Sequence, residues 1–376
     1  MQIQQTQQPR PALQPCRLSP EVMNSPLPFD LFNSKGMLLV KRGTQINGDA
    51  ETLLDQPLYR SRAESEGDDR HSIQRLEGLY HGYVSLMDVW CSRPEDVLHL
   101  KRQAGDLVHL CGSHSDLCVV TASHLPGKRH ATKHAFATAV VAILLGDALG
   151  WNLWRQHILA RAALTMNLSL LPLHDDWAKK RSPLSEVEKG NVQRHPGLSA
   201  ELLLQASGVD VGWITAVDQH HENIDGSGYP LGLEGQEISQ EARILRVADA
   251  WCALILLRSG RARKTPRDAI LELSKSVGTQ FDPQIFQALK KLMGAYPPGT
   301  FVRLANRETA IVTSWDKQGS LPRYATRILL PTGVMPHEFR VRSLSEYGYG
   351  IRDYTHLDMA QMARFSVSRV WASAAH

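Results

Sequence analysis

Five cysteines in 376 residues (Cys16, Cys91, Cys111, Cys118 and Cys252), none in a CxxC pair, leave nothing from which to build a disulfide framework or a cysteine zinc site. The chain has no long block of one charge either. Its 42 basic and 38 acidic residues are interspersed and the formal net charge is +4, which argues against a nucleic-acid-binding face. No apolar run reaches the roughly 20 residues of a membrane span; the most apolar stretch, 135–151, is interrupted by Asp147. The N-terminal MQIQQTQQPRPALQP lacks the apolar core of a signal peptide. These absences predict a cytoplasmic protein with no membrane span and no nucleic-acid partner.

What is present is an ordinary globular composition, 43% hydrophobic, long enough for two or three domains. Residues 1–22, rich in glutamine and proline, read as a disordered lead. Over 23–70 a small module is expected: two apolar runs flank Asn33-Ser34-Lys35-Gly36 as a β-hairpin, a short helix follows over 49–58, and 60–70 reads as a charged linker. Residues 71–122 carry apolar positions at helical spacing, broken at Pro94, and offer a candidate homodimer face. Helical periodicity continues to residue 293. After the breaker Tyr296-Pro297-Pro298-Gly299, the runs FVRLAN, TAIVTSW and ATRILLP predict a small antiparallel β-module over 294–376, closed by a helix from Leu357 to Ser373.

The chemistry concentrates in His220–Pro230, HHENIDGSGYP. Adjacent imidazoles and carboxylates are what a divalent ion needs, and a glycine-rich turn lets the backbone double back over such a site. Upstream, His130 and His134 lie four residues apart on an apolar, buried helix and so share a face.

HHENIDGSGYP, ARILRVADAWCALILLRSGRAR (242–263) and GTQFDP (278–283) together resemble the signature of the HD-GYP family, bacterial HD-superfamily metal phosphohydrolases whose active members hydrolyse cyclic di-GMP. The resemblance covers roughly 130–290. It implies a mainly α fold, an HD-type helical bundle over 71–293 carrying the two small β-containing modules. It also implies metal ligands at His134, His195, His220, His221 and Asp249, with His130 where some members place a further glutamate. Arg258 and Arg261 match phosphate contacts, and Tyr229 matches a residue lying against the nucleotide. Gly228, Tyr229 and Pro230 match the turn implicated in contact with GGDEF diguanylate cyclases. Gly260 and Cys252 depart from a usual tyrosine and aspartate.

One departure matters more. Where the family carries its His-Asp pair, AALTMNLSL places Met166 and Asn167. A thioether is a poor partner for iron, manganese or magnesium, and a neutral amide bridges two ions badly. His174, Asp175 and Asp176, eight residues on, are not placed by helical geometry to replace them. By resemblance, the position served by His195, His220 and His221 loses only its bridge, whereas the position served by His134 and Asp249 loses two of four ligands. The expectation is at most one ion (iron, manganese or zinc) in a cyclic di-GMP signalling protein acting by nucleotide binding or protein contact. Two alternatives stay open: a single-metal phosphodiesterase yielding pGpG or GMP, and a structural interaction module.

Overall fold

The computed structural model describes residues 13–16, 30–41, 44, 58–90, 97–125, 130–171, 185–256, 264–315 and 322–374. It divides into two units, one formed by the chain up to Ser72 and one from Ile73 to Ala374.

The first unit is an antiparallel sheet of β1 (Leu13–Cys16), β2 (Leu31–Phe32), β3 (Leu38–Val40) and β4 (Leu58–Ser61), in the order β1-β4-β2-β3. The hairpin read at Asn33–Gly36 is β2–β3. The Asn33 side chain accepts from the amides of Lys35 and Met37 at 2.9 and 3.0 Å, and Gly36 takes the positive φ of 78° that the turn requires. Two expectations are corrected. Part of the lead expected to be disordered is β1, an edge strand paired with β4 from Leu13↔Ser61 to Cys16↔Leu58, a position that tolerates Pro15. The charged linker is the end of β4 followed by α1 (Arg62–Trp90), because its alanine, glutamate and arginine residues have good helix propensity whatever their charge. The short helix expected over 49–58 lies outside the described residues except for Leu58, which opens β4.

In the second unit, α2 (Val97–Ser113), α3 (Ser115–Ser123), α4 (His130–Ala148), α5 (Leu153–Thr165), α6 (Glu186–Leu204), α7 (Val211–Asp218), α8 (Gln240–Ile255), α9 (Pro266–Ser274) and α10 (Pro283–Met293) form the helical body. Pro94 lies outside the described residues. The body is organised around α4, in which 15 of 19 residues are buried, with α3, α5 and α8 packed against it. By length and composition alone α4 could cross a membrane; its apolarity is accounted for by burial among these neighbours. Gly150, at φ 75°, stops α4, and the Asn152 side chain caps α5 by accepting from Arg155 N at 3.1 Å. The capping box of Ser185 and Glu188 starts α6, and Asp210 and Ser239 cap α7 and α8.

The C-terminal sheet is wholly antiparallel, in the order β8-β7-β6-β5-β9: β5 (Phe301–Leu304), β6 (Thr309–Trp315), β7 (Pro322–Leu329), β8 (Arg340–Ser343) and β9 (Ile351–Tyr354). It packs on the helical body through Val120 of α3, which joins the cluster of Phe301, Ile311 and Ile328. His124 reinforces the contact by donating to Gly299 O at 2.9 Å. The single terminal helix expected over 357–373 is two, α11 (Met359–Arg364) and α12 (Val367–Ala374). Between them Phe365 turns inward onto His124 and Phe301, ring centroids 5.1 and 5.2 Å away.

Candidate metal centre

His195 lies in α6, one residue before Pro196. Proline has no N–H to bond the carbonyl four residues back, and that carbonyl, Val192 O, instead accepts from His195 Nδ1 at 2.5 Å. His220 follows α7, whose last carbonyls have no intrahelical partner, and its Nδ1 donates to Val217 O at 2.6 Å. A carbonyl can only accept, so both rings carry their proton on Nδ1 and present a lone pair at Nε2. Those two Nε2 atoms lie 3.1 Å apart. Neither can donate to the other unless one ring is charged. Burial opposes that, pushing His195 down and His220, with the nearby charge of His195, down to about 3.

His221 completes the set. Ligand atoms of the three rings all lie within 4.8 Å of one another, and burial, followed by the charge of His220, holds His221 well below its ordinary value. Imidazole nitrogens about 2.1 Å from a tetrahedral ion are about 3.4 Å from each other. Converging ring nitrogens at this spacing fit a divalent cation, with the Nδ1–H of His195 and of His220 fixed by a second partner in the manner common to metal-bound histidines.

A group kept neutral by burial makes stability depend on pH. Between the folded value of His220, about 3, and its ordinary 6.5, the unfolded chain binds the extra proton, so stability is complete above 6.5 and is lost as the pH falls. At pH 5 this amounts to about 2 kcal/mol from His220 alone, and His195 and His221 act in the same direction. Asp249 adds a loss only below its ordinary 3.8. Urea unfolding of metal-free protein is therefore expected to show at least about 2 kcal/mol less stability at pH 5 than at pH 7.5; equal stability would sink the assignment of neutral, buried imidazoles.

Beside the trio, His134 and Asp249 take each other. His134 Nε2 donates to Asp249 Oδ1 at 2.7 Å. Burial would raise the Asp249 carboxyl, but this hydrogen bond and the charges of His134, His221 and His220 hold it well below the carboxylate range. Met166 and Asn167 are both buried just past α5. The segment around them is fixed: Tyr83 OH donates to Leu164 O at 2.7 Å and Trp213 Nε1 to Thr165 Oγ1 at 2.8 Å. Beyond them Ser169 Oγ donates to His195 O at 3.1 Å, tying this stretch to the helix that carries His195.

The loop after His221 is held by its own polar groups, and the two carboxylates read beside the histidines as partners for an ion, Glu222 and Asp225, are engaged within the loop instead. Glu222, 2% exposed, accepts from the amides of Leu231, Gly232 and Leu233 at 2.7, 3.2 and 3.1 Å. Asn223 donates to Ser227 Oγ at 3.0 Å and accepts from Arg246 Nε at 3.0 Å. Asp225 accepts from the amide and hydroxyl of Ser227, which holds its carboxyl down. The result places Tyr229 against His221, with ring centroids 4.8 Å apart and planes 25° from parallel. Gly228 is half-buried and Pro230 exposed. An acid directly after paired histidines, facing a run of loop amides, was the available signal that Glu222 holds the loop. Arg258, Gly260, Arg261 and the His174–Asp176 stretch lie outside the described residues.

Residues 121–285 match a family model described as HD domain. Among similar proteins, one named cyclic di-GMP phosphodiesterase from Pseudomonas aeruginosa is 34% identical over 151 residues, 40% of this chain and 36% of that one. A protein from Xanthomonas campestris pv. campestris, named cyclic di-GMP phosphodiesterase response regulator RpfG, is 36% identical over 151 residues, 40% of each chain. The chain thus spans well under half the length of these two relatives. Among solved structures, a HDG"Y"P protein from Bdellovibrio bacteriovorus shares the fold with a TM-score of 0.50 at 16% identity, over 74% of this chain and 98% of that one. Residues 121–285, less than half of the chain, thus resemble the HD domain, and the two relatives match over a similar length.

Proposed function

We propose that this chain is a cyclic di-GMP signalling protein of the HD-GYP type that holds one divalent ion on His195, His220 and His221 and works by binding the nucleotide and contacting partner proteins rather than by fast turnover. The observation that carries this reading is the contrast between the two halves of the site. Three imidazole donors converge on one side, whereas His134 and Asp249 are engaged with each other on the other side. Met166 and Asn167, at the family's His-Asp positions, supply neither imidazole nor carboxylate to separate that pair. Relatives named as cyclic di-GMP phosphodiesterases support the nucleotide as ligand.

When bound, a divalent ion at the trio supplies positive charge that polarises a phosphoryl oxygen and lowers the pKa of water. The chain's own part is to present the three nitrogens unprotonated and to stack Tyr229 over His221; by resemblance, Arg258 and Arg261 would supply further phosphate contacts. Iron, manganese or zinc suits the donors. The partner surface is the Gly228-Tyr229-Pro230 turn, with GGDEF diguanylate cyclases as the partners and the cytoplasm as the place of action. A second reading, slow hydrolysis of cyclic di-GMP to pGpG or GMP, draws on the complete histidine trio, a donor set that keeps an open position in catalytic zinc sites.

Turnover separates the two. Purified protein with cyclic di-GMP and added manganese or ferrous iron is expected to give no more than a trace of product by chromatography while binding the nucleotide in calorimetry. Product formed by this protein and absent from the His220→Ala control would establish the slow enzyme instead. Failure to bind the nucleotide at all would remove both.

A further inference from the structure

Arg246, on α8, is a guanidinium set into the site near the Asp249 carboxylate but in direct ion-pair contact with no described carboxylate. It lies three residues before Asp249 and so on the same helix face. Its Nε donates to Asn223 Oδ1 at 3.0 Å and one terminal nitrogen to Gln280 Oε1 at 2.9 Å. Its plane sits over the Phe281 ring, 5.0 Å from the centroid. Both hydrogen-bond partners are neutral amides, and among the described residues no carboxylate comes within ion-pair distance of it. Guanidinium has five N–H donors, so three remain after these two bonds. Arg246 is nonetheless partly open to solvent, as is Tyr229, whose hydroxyl makes no hydrogen bond to a described residue. Its charge acts on Asp249, Tyr229, His220 and His221. Burial keeps Tyr229 well above its ordinary value and hence a neutral donor.

A structural staple would explain the bonds to Asn223 and Gln280, joining the signature loop to the 278–283 turn. It does not explain why a cation, rather than a neutral amide, stands there with donors left over beside the histidines. A charge removed from water is costly unless it is paired, and the pairing group that fits a planar fork with spare N–H groups is a phosphate or phosphodiester oxygen.

We infer that Arg246, with the Tyr229 hydroxyl beside it, forms an anion subsite at the mouth of the histidine centre that takes a phosphate or phosphodiester group. The inference rests on the reading of this centre as a phosphate-ester site and adds a binding residue outside the Arg258 and Arg261 segment. The two bonds to Asn223 and Gln280 aim the fork, and Phe281 backs it, so little side-chain freedom is lost when the anion arrives.

The test is calorimetric titration of inorganic phosphate and, separately, of cyclic di-GMP into the full chain and into Arg246→Gln, Arg246→Lys and Gln280→Ala, with metal content and unfolding midpoint measured for each. Arg246→Gln is expected to weaken both ligands about tenfold or more, and Arg246→Lys, which keeps the charge but loses the fork, by about threefold to fivefold. Gln280→Ala removes one of the two bonds that aim the fork but keeps the charge and its N–H groups, and is expected to weaken both ligands clearly less than Arg246→Gln does. If Arg246→Gln does not fold, the lysine variant decides, and wild-type affinity for both ligands in it overturns the inference. Equal affinities in wild type and Arg246→Gln, or a Gln280→Ala loss as large as that of Arg246→Gln, also overturn it. Phosphate binding that depends on Arg246, with no binding of cyclic di-GMP, would sustain the subsite and sink the cyclic di-GMP reading. Cyclic di-GMP binding that ignores Arg246 would do the reverse, and a wild-type chain that binds neither ligand would remove both.

Discussion

Replacing Gly228 with alanine is expected to lower the unfolding midpoint by about 5 °C or more, a loss on the order of 3 kcal/mol. A β-carbon at this position would lie 2.3 Å from Asn223 N, 2.5 Å from Glu222 Cα and 2.7 Å from Glu222 C. All three are backbone atoms, so no side chain can swing aside. Nor can that backbone retreat cheaply. Glu222 is held by three loop amides, and Asn223 by Ser227 and Arg246. The relief has to come from the loop itself, which carries Tyr229 away from His221. An unchanged midpoint would mean that the loop does not run this close to the histidines. Here the glycine is demanded by close approach, whereas Gly226, at φ 77°, is demanded by conformation.

His220→Ala is expected to weaken metal binding by about a hundredfold or more, about 2.7 kcal/mol, because it removes one of three converging donors and frees the others from their fixed spacing. Metal per chain, measured by mass spectrometry after dialysis against buffer with a defined free ion concentration, should fall below a tenth of wild type. His134→Ala is the contrast. Its ring is engaged with Asp249 rather than with the trio, so that variant should keep most of its ion. Equal loss in both would mean that the two halves act as one centre, and equal retention would take the metal away from the trio.

Much of the body was legible because burial writes itself into periodicity. The run from Ala135 to Leu145 is apolar on every side, and a helix of that kind has to be central. The hairpin at Asn33–Gly36 and the first three C-terminal strands were equally open, since turn residues and alternation are local signals. β8 and β9 were not: RVRS and IRDY are short and charged, and they are strands only because β7 and β5 offer edges to pair with. β1 escaped notice for the same reason, hidden in a glutamine- and proline-rich lead until β4 pairs with it.

Within the site, the histidines were readable as a motif, but their tautomers were not. That depends on which carbonyls the helices leave unbonded, a property of Pro196 and of the end of α7 rather than of the histidines. Arg246 was invisible for a related reason. A basic residue on an amphipathic helix reads as a solvated face, and only the positions of Asn223, Gln280 and Phe281 show that it turns inward.

Pro196 has a consequence for what controls the site. Free imidazoles at pH 6 are about three-quarters protonated, so a flexible histidine trio would have to shed protons to take up an ion and would compete with acidity for it. In this chain the proline frees a carbonyl that fixes the His195 proton on the far nitrogen, and burial keeps all three rings neutral. An ion taken up here would therefore displace fewer protons than one bound by free imidazoles, and its binding would be less sensitive to acid than theirs.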